Sequence, residues 1–382
     1  MASNSTNRRE SAFSRAGPGD SFLTRVKFSD LPGFEADDHL AAWHVFARSC
    51  EAASHKQTSI RPVVEADAAL LQVFHQTQSI GAPATRREAR AYFEAHFSPW
   101  RVTSRQTPGF LTGYYEPEVD GSLRSSAVFA TPLLARPDNL ISPLPASEHA
   151  LPLAGISAAK SAADGSLVSY DDRASIEQGS LGARAIPICW VRDNAEAFLI
   201  HIQGSARIRL SNGKVLRLTY DGRNGLPYSS IGKILISNGQ IPENEMSLAR
   251  LKHWLRQDEL RGRELMRRNR SFIFFRIDHE AEPDEGPVGG AALRLTPLRS
   301  IAVDRTCWSY GLPFWIDAGL PWQADSTSAF QRLMVAQDTG SAILGAARAD
   351  IFFGCGDVAG RRAGDIRHNG EFTVLLPKSG HK

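Results

Sequence analysis

Met334-Val335-Ala336-Gln337-Asp338-Thr339-Gly340-Ser341-Ala342-Ile343 is followed closely by Arg348-Ala349-Asp350-Ile351-Phe352-Phe353-Gly354. Two aspartates twelve residues apart therefore stand among apolar and small residues, a setting where aspartates are rare. Asp350 leads into Ile351-Phe352-Phe353, an aromatic run that predicts a buried strand. Burial desolvates a carboxylate and raises its pKa toward the range of a useful proton donor. The Thr339-Gly340-Ser341 turn offers hydroxyls and N–H groups that can hold Asp338 ionised. A plainer account fits the same residues: Asp338 opens an Asx-type turn and Asp350 caps a strand. Spacing alone leaves both open.

Around this stretch lies a chain of 382 residues, long enough to expect two domains. Hydrophobic residues make up 42% and charged residues 22%, the profile of a globular protein with a substantial core. The net charge is +3, and part of the basic excess sits in one run, Arg261, Arg263, Arg267, Arg268 and Arg270. That run reads as a solvated helix face, so no nucleic-acid partner is expected. Cys50, Cys189, Cys307 and Cys355 form no CxxC pair, and the histidines show no HExxH spacing. Neither a metal site nor a disulfide framework is expected. No stretch of 18 apolar residues occurs, so no membrane-spanning segment is expected. Met1–Lys27 is polar, with no apolar leader core and no lipid-attachment cysteine, and residues 1–30 read as a disordered arm.

Asp38–Ala53 and Ala66–Gln76 carry apolar residues at helical spacing. A third helix is announced by the capping box Thr85-Arg86-Arg87-Glu88, with Pro99 as its stop. From Phe110 onward short strands alternate with turn residues, and Asn139–Asp164 reads as loop. Ala197–Ile202 and Ala206–Leu210 read as strands, with Ser211-Asn212-Gly213-Lys214 as a hairpin turn into Val215–Tyr220. Pro242 is expected to open a helix carrying Met246, Leu248, Leu251, Trp254 and Leu255. Strands resume after Arg270.

Leu111-Thr112-Gly113-Tyr114-Tyr115-Glu116-Pro117 resembles the Thr-Gly-Tyr-Tyr-x-Pro signature of the membrane-bound lytic transglycosylase A (MltA) family. Ile202-Gln203-Gly204-Ser205, Tyr220-Asp221-Gly222-Arg223-Asn224-Gly225, Tyr228–Lys233, Ser271–Phe275 and finally Asp304, Asp338 and Asp350 follow in the family's order. The resemblance runs collinearly from about Phe110 to Leu376. It implies a mainly β fold with some α: a double-psi β-barrel domain with N-terminal helices and a smaller inserted β-rich domain. Carried onto this chain, residues 31–115 are the helical part of the main domain and 116–278 the insert. Residues 279–382 are the three-aspartate part of the barrel.

Family members cleave peptidoglycan glycan strands between N-acetylmuramic acid and N-acetylglucosamine, leaving 1,6-anhydromuramoyl ends without consuming water. The resemblance gives Asp350 the acid and base roles, requires no cofactor, and places the protein in the periplasm or cell envelope of a Gram-negative-type bacterium. The family's lipid anchor is not carried over, because Met1–Lys27 shows no lipid-attachment cysteine. Asp338 is the supporting acid, whose charge near Asp350 would raise that pKa further. Asp304 is either a third site residue or an ion-pair partner of Arg305. Thr112, Tyr114 and Tyr115 are expected to line a glycan groove, or else to form a domain-junction turn. Gln203, Asn224 and Lys233, with Tyr220 and Asp221, suit N-acetyl or peptide groups; Asp221 and Asn224 also fit plain turns. Gly354–Gly360 lacks the Lys-Ser/Thr of a phosphate loop, and close backbone packing or glycan approach explains its glycines better. Two rival readings remain: a two-carboxylate hydrolase pairing Asp350 with Asp338 or Asp357, with Asp365 also to hand, and a non-catalytic glycan-binding module.

Overall fold

The computed structural model describes residues 14–105, 107–144 and 155–378. It is a mixed α/β structure dominated by sheet. Ten strands form the main sheet, in the order Ser14–Ala16, Ser21–Arg25, Phe97–Ser104, Glu371–Pro377, Pro313–Leu320, Ser328–Thr339, Ser300–Val303, Arg348–Cys355, Phe110–Glu116, Arg367–Asn369. Among the described residues this order is open, with Ser14–Ala16 and Arg367–Asn369 at its two edges. Most pairings are antiparallel. Two are parallel: Ser300–Val303 with Ser328–Thr339, and Arg348–Cys355 with Phe110–Glu116.

Three helices cover this sheet. His39–Ser54, Ala68–Ser79 and Arg86–His96 are capped by the side chains of Asp38, Asp67 and Thr85, each accepting a backbone N–H three residues on, as N-cap chemistry requires. Among their inward rings, Phe46 meets Phe74, Tyr92 and Phe93, and Phe97 of the adjoining strand, in edge and tilted contacts. Pro99 does not end the third helix. That helix stops at His96, and Pro99 lies inside the strand that follows.

The chain leaves the main sheet at Pro117. Glu118–Asp120 pairs instead with Ser205–Arg209 in a second sheet of four strands, completed by Val215–Arg223 and Ile273–Ile277. It rejoins the main sheet at Ser300. A buried charge cluster ties the crossing together. Glu116, 1% exposed, accepts from Arg207 at 2.8 Å and Arg217 at 3.2 Å, and from the Cys355 thiol at 3.2 Å. Both arginines also donate to the backbone carbonyl of Glu285, at 2.7 and 3.0 Å. A buried carboxylate is tolerated only with such compensation.

Several expectations need correction. Residues 1–13 of the expected arm lie outside the described residues, but Ser14–Ala16 and Ser21–Arg25 form a hairpin on Phe97–Ser104. Leu23, buried against the core, gives that polar segment its hold. Residues 145–154 of the expected loop also lie outside the described residues, and Ala159–Ser161 pairs with Leu167–Ser169. Ala197–Ile202 is not a strand: Asn194–Gln203 is a helix, capped by Asp193 and ended by the left-handed Gly204. Its short apolar run is buried on every side, so it carries no helical period. The helix expected from Pro242 begins later, as Leu248–Gln257 behind the cap Ser247; Glu243–Glu245 forms only one 3₁₀ turn.

Candidate active site

One row of the main sheet assembles the site. Ala302 is in register with Asp338 on one side and Asp350 on the other; Asp350 pairs with Thr112, and Thr112 with Arg367. Residues directly opposite on neighbouring strands point to the same face. The two aspartates therefore face one way, their Cα atoms about 10 Å apart across one intervening strand. The small Ala302 between them leaves space above the row. A cleft of about 1320 Å³ opens there, walled on one side by this sheet and on the other by Gln203, Tyr220, Asp221, Tyr228, Lys233 and Arg276. That exceeds the usual small-molecule pocket.

Asp350 is held from one side. Thr112 Oγ1 donates to its Oδ1 at 2.6 Å, and Arg348 donates in turn to Thr112 Oγ1 at 2.6 Å. Desolvation by the surrounding walls raises the Asp350 pKa, and the Asp338 charge adds to this, while Arg348 and the Thr112 hydroxyl pull against it. The net direction is upward. Its other oxygen takes no protein donor among the described hydrogen bonds.

Asp338 is in the opposite condition. Its Oδ1 accepts from Gly290 N–H and Thr339 N–H, both at 2.8 Å, and lies 3.5 Å from the Arg61 guanidinium. Its Oδ2 accepts from the Tyr114 hydroxyl at 3.0 Å. A Cβ at position 290 would stand 2.3 Å from the Tyr310 hydroxyl and 3.2 Å from Asp338 itself, so only glycine brings its N–H this close. Arg61 also donates to Thr339 O at 2.5 Å and stacks on Tyr220, 4.3 Å from its ring centre. Burial opposes its charge, but Asp338 and the facing tyrosines outweigh burial and raise its pKa. Nothing in the sequence marks Arg61 or Gly290, since both reach Asp338 only through tertiary packing. Arg348 was legible in principle: two residues before Asp350 on a strand, it must share its face.

Strand alternation sorts the remaining candidates. Thr112 and Tyr114 point into the cleft, whereas Tyr115 is buried on the far face against Gly360, where an added Cβ would come within 2.6 Å of its ring. Close helix packing therefore accounts for that glycine. Gln203 lines the cleft while its Oε1 accepts from Tyr115 N–H at 3.1 Å. Lys233 and Tyr220 line the cleft, and so does Asp221, 3.8 Å from Arg276. Asn224 does not: it is fully buried, its amide donating to Asp171 O and Arg270 O and accepting from Phe272 N–H, all at 2.9 Å. Asp304 is buried below the cleft wall and accepts from Thr306 N–H, the Thr306 hydroxyl and Gly345 N–H at 2.9, 2.7 and 2.6 Å. Burial works against its charge, yet these donors hold its pKa below the usual value. The ion pair expected with Arg305 is replaced by local loop donors. Asp357 is exposed at the start of the helix Gly356–Gly364 and is not part of the cleft lining; neither is Asp365.

A carboxyl with a raised pKa and a second carboxylate saturated with donors, side by side on the floor of a long cleft, define a site for carboxyl-dependent proton transfer. Residues 110–276 match the MltA specific insert domain and residues 299–376 the 3D domain. The structure is similar to a crystal structure of a membrane-bound lytic murein transglycosylase from Agrobacterium tumefaciens, at 32% identity and a TM-score of 0.83, covering 93% of this chain and 97% of that one. The chain belongs to the MltA family. It is also 35% identical over 209 residues to a membrane-bound lytic murein transglycosylase A of Vibrio cholerae, a match covering 53% of this chain and 55% of that protein. The match thus spans about half the length of that curated relative. A crystal structure of Escherichia coli MltA with bound chitohexaose is similar at 26% identity and a TM-score of 0.60, covering 81% of this chain and 83% of that one.

Proposed function

We propose that this chain is a peptidoglycan lytic transglycosylase, in which Asp350 acts alone as acid and then base. The observation that carries the reading is the unequal state of the two aspartates: one desolvated and singly held, the other held by three hydrogen bonds and an ion pair. The chitohexaose held by the Escherichia coli relative supports a glycan in the cleft.

Asp350 in its acid form gives its proton to the glycosidic oxygen as the C1–O bond breaks, releasing the N-acetylglucosamine side. Positive charge develops on the muramic ring, and the ionised Asp338 stabilises it through space. The C6 hydroxyl of the same sugar then bonds to C1 and returns its proton to Asp350. One bond breaks, one forms, the proton is recovered, and no water is consumed. Thr112, fed by Arg348, steadies the carboxylate between the two transfers. Thr112, Tyr114, Tyr220, Gln203 and Lys233 are read as glycan contacts, and Asp304 as the support of the cleft wall. The two parallel pairings within the main sheet support the double-psi barrel reading, and the departure at Pro117 and return at Ser300 support residues 116–278 as the insert. The membrane-bound character of the named relatives supports an envelope location.

Mass spectrometry of digested sacculi tests this. Anhydro ends, one water lighter than hydrolysed ends, are expected; reducing muramic ends alone would establish the hydrolase reading, and binding without soluble fragments the non-catalytic one.

A further inference from the structure

The cleft is far more basic than a neutral sugar chain requires. Eight arginines and Lys233 line it, against four aspartates. Some of these cations are already matched: Arg61 lies 3.5 Å from Asp338, Arg276 3.8 Å from Asp221, and Arg367 3.6 Å from Glu243. Two near the Asp338 end are not. Among the described residues neither Arg223 nor Arg305 is in an ion pair. Arg223 spends one donor on Leu226 O at 3.1 Å, and its Nε is buried without a partner. Arg305 is exposed to the cleft two residues beyond Val303, which is in register with Thr339. Arg223 shares a strand with Tyr220, on whose ring Arg61 stacks. Three guanidiniums thus line the same end of the cleft. They act on one another: burial, then the charges of Arg305 and Arg61, push the Arg223 pKa down. Arg223 and Arg305 stand beside a third like charge without counter-ions of their own, which is costly, and the cost is relieved when an anion enters.

Resting on the transglycosylase reading, we infer that Arg223 and Arg305 form an anion subsite for a carboxylate of the peptide substituent carried by the muramic residue. The glycan itself offers no anion there, because the lactyl carboxyl is consumed in the amide bond to the peptide. The peptide supplies free carboxylates, and guanidinium forks match them in geometry. The subsite makes the cleft discriminate between strands whose stems carry free carboxylates and strands whose stems are neutralised.

Binding measured by calorimetry in an Asp350→Asn background tests this without turnover, using soluble stem-bearing glycan strands before and after their stem carboxylates are converted to amides with carbodiimide and ammonia. Strands with free stem carboxylates are expected to bind about tenfold more tightly at low salt than the amidated ones, and the preference shrinks as salt rises. Arg223→Gln with Arg305→Gln abolishes the preference, whereas Arg305→Lys alone retains most of it. Equal affinity of the parent for both strands overturns the subsite, and so does an equal loss of both affinities in the double variant. Absence of anhydro products from the wild-type chain is a separate failure, which would sink the activity and leave the binding comparison readable.

Discussion

Replacing Asp350 by Asn removes a proton and almost nothing else. The amide oxygen can still accept from Thr112 Oγ1, now 2.6 Å from the carboxylate, and Arg348 can still donate to that hydroxyl. No other carboxyl on the row can take over, because Asp338 is buried and committed to three hydrogen bonds and an ion pair. Loss of general acid–base catalysis costs about 10²–10⁴-fold. With both transfers resting on one group, the upper end is expected, a barrier increase of about 5 kcal/mol. Stability should move the other way. A group whose pKa is raised on folding contributes stability that is full below its unfolded pKa and lost as pH rises through the folded one. Asp350 is such a group. At neutral pH the variant should therefore melt no lower than the wild type, and the gap should close in acid. Release of anhydro-muropeptides gives the rate, and thermal denaturation across pH gives the stability. A folded variant within tenfold of wild-type turnover would refute the assignment.

Thr112→Val removes a donor that favours ionised Asp350, so the alkaline limb of the pH–rate profile should move upward and the maximal rate fall about tenfold; an unmoved limb would separate the hydroxyl from the titrating group. Asp304→Asn weakens three charge-assisted hydrogen bonds and should cost about 2 kcal/mol at neutral pH. Because folding depresses the Asp304 pKa, that stability is present above the ordinary carboxyl value and lost as pH falls through the depressed one. The difference from wild type, followed by urea titration, should therefore vanish in acid. Glu116→Gln breaks the buried cluster with Arg207 and Arg217 and should cost about 3–5 kcal/mol, read from denaturant midpoints; a loss under 1 kcal/mol would mean that water reaches the crossing.

Helix starts were legible where a cap stood beside a clear period, as Thr85 shows, and the desolvation of Asp350 was legible from the aromatic run after it. Local signals told which residues share a face but not which face meets the cleft. Tyr114 and Tyr115 are adjacent and look equivalent, yet alternation puts one into the cleft and the other behind the sheet. Asn224 sits in the same motif as Tyr220, but a bulge between Tyr220 and Gly222 shifts the register, and Asn224 turns inward. Arg61 and Gly290 belong to segments with no motif of their own. Their role exists only because packing brings them to Asp338.

Asp350 and the hydroxyl that holds it are 238 residues apart in sequence, joined by one parallel pairing. A ribosome adding about 5–20 residues per second needs tens of seconds to pass from one to the other. Throughout that interval the first strand of the pair has no partner, and the row that carries both aspartates does not exist. No nascent or truncated N-terminal portion can hold an assembled catalytic floor, however well its helices have formed. The row is complete only once the C-terminal strands have returned.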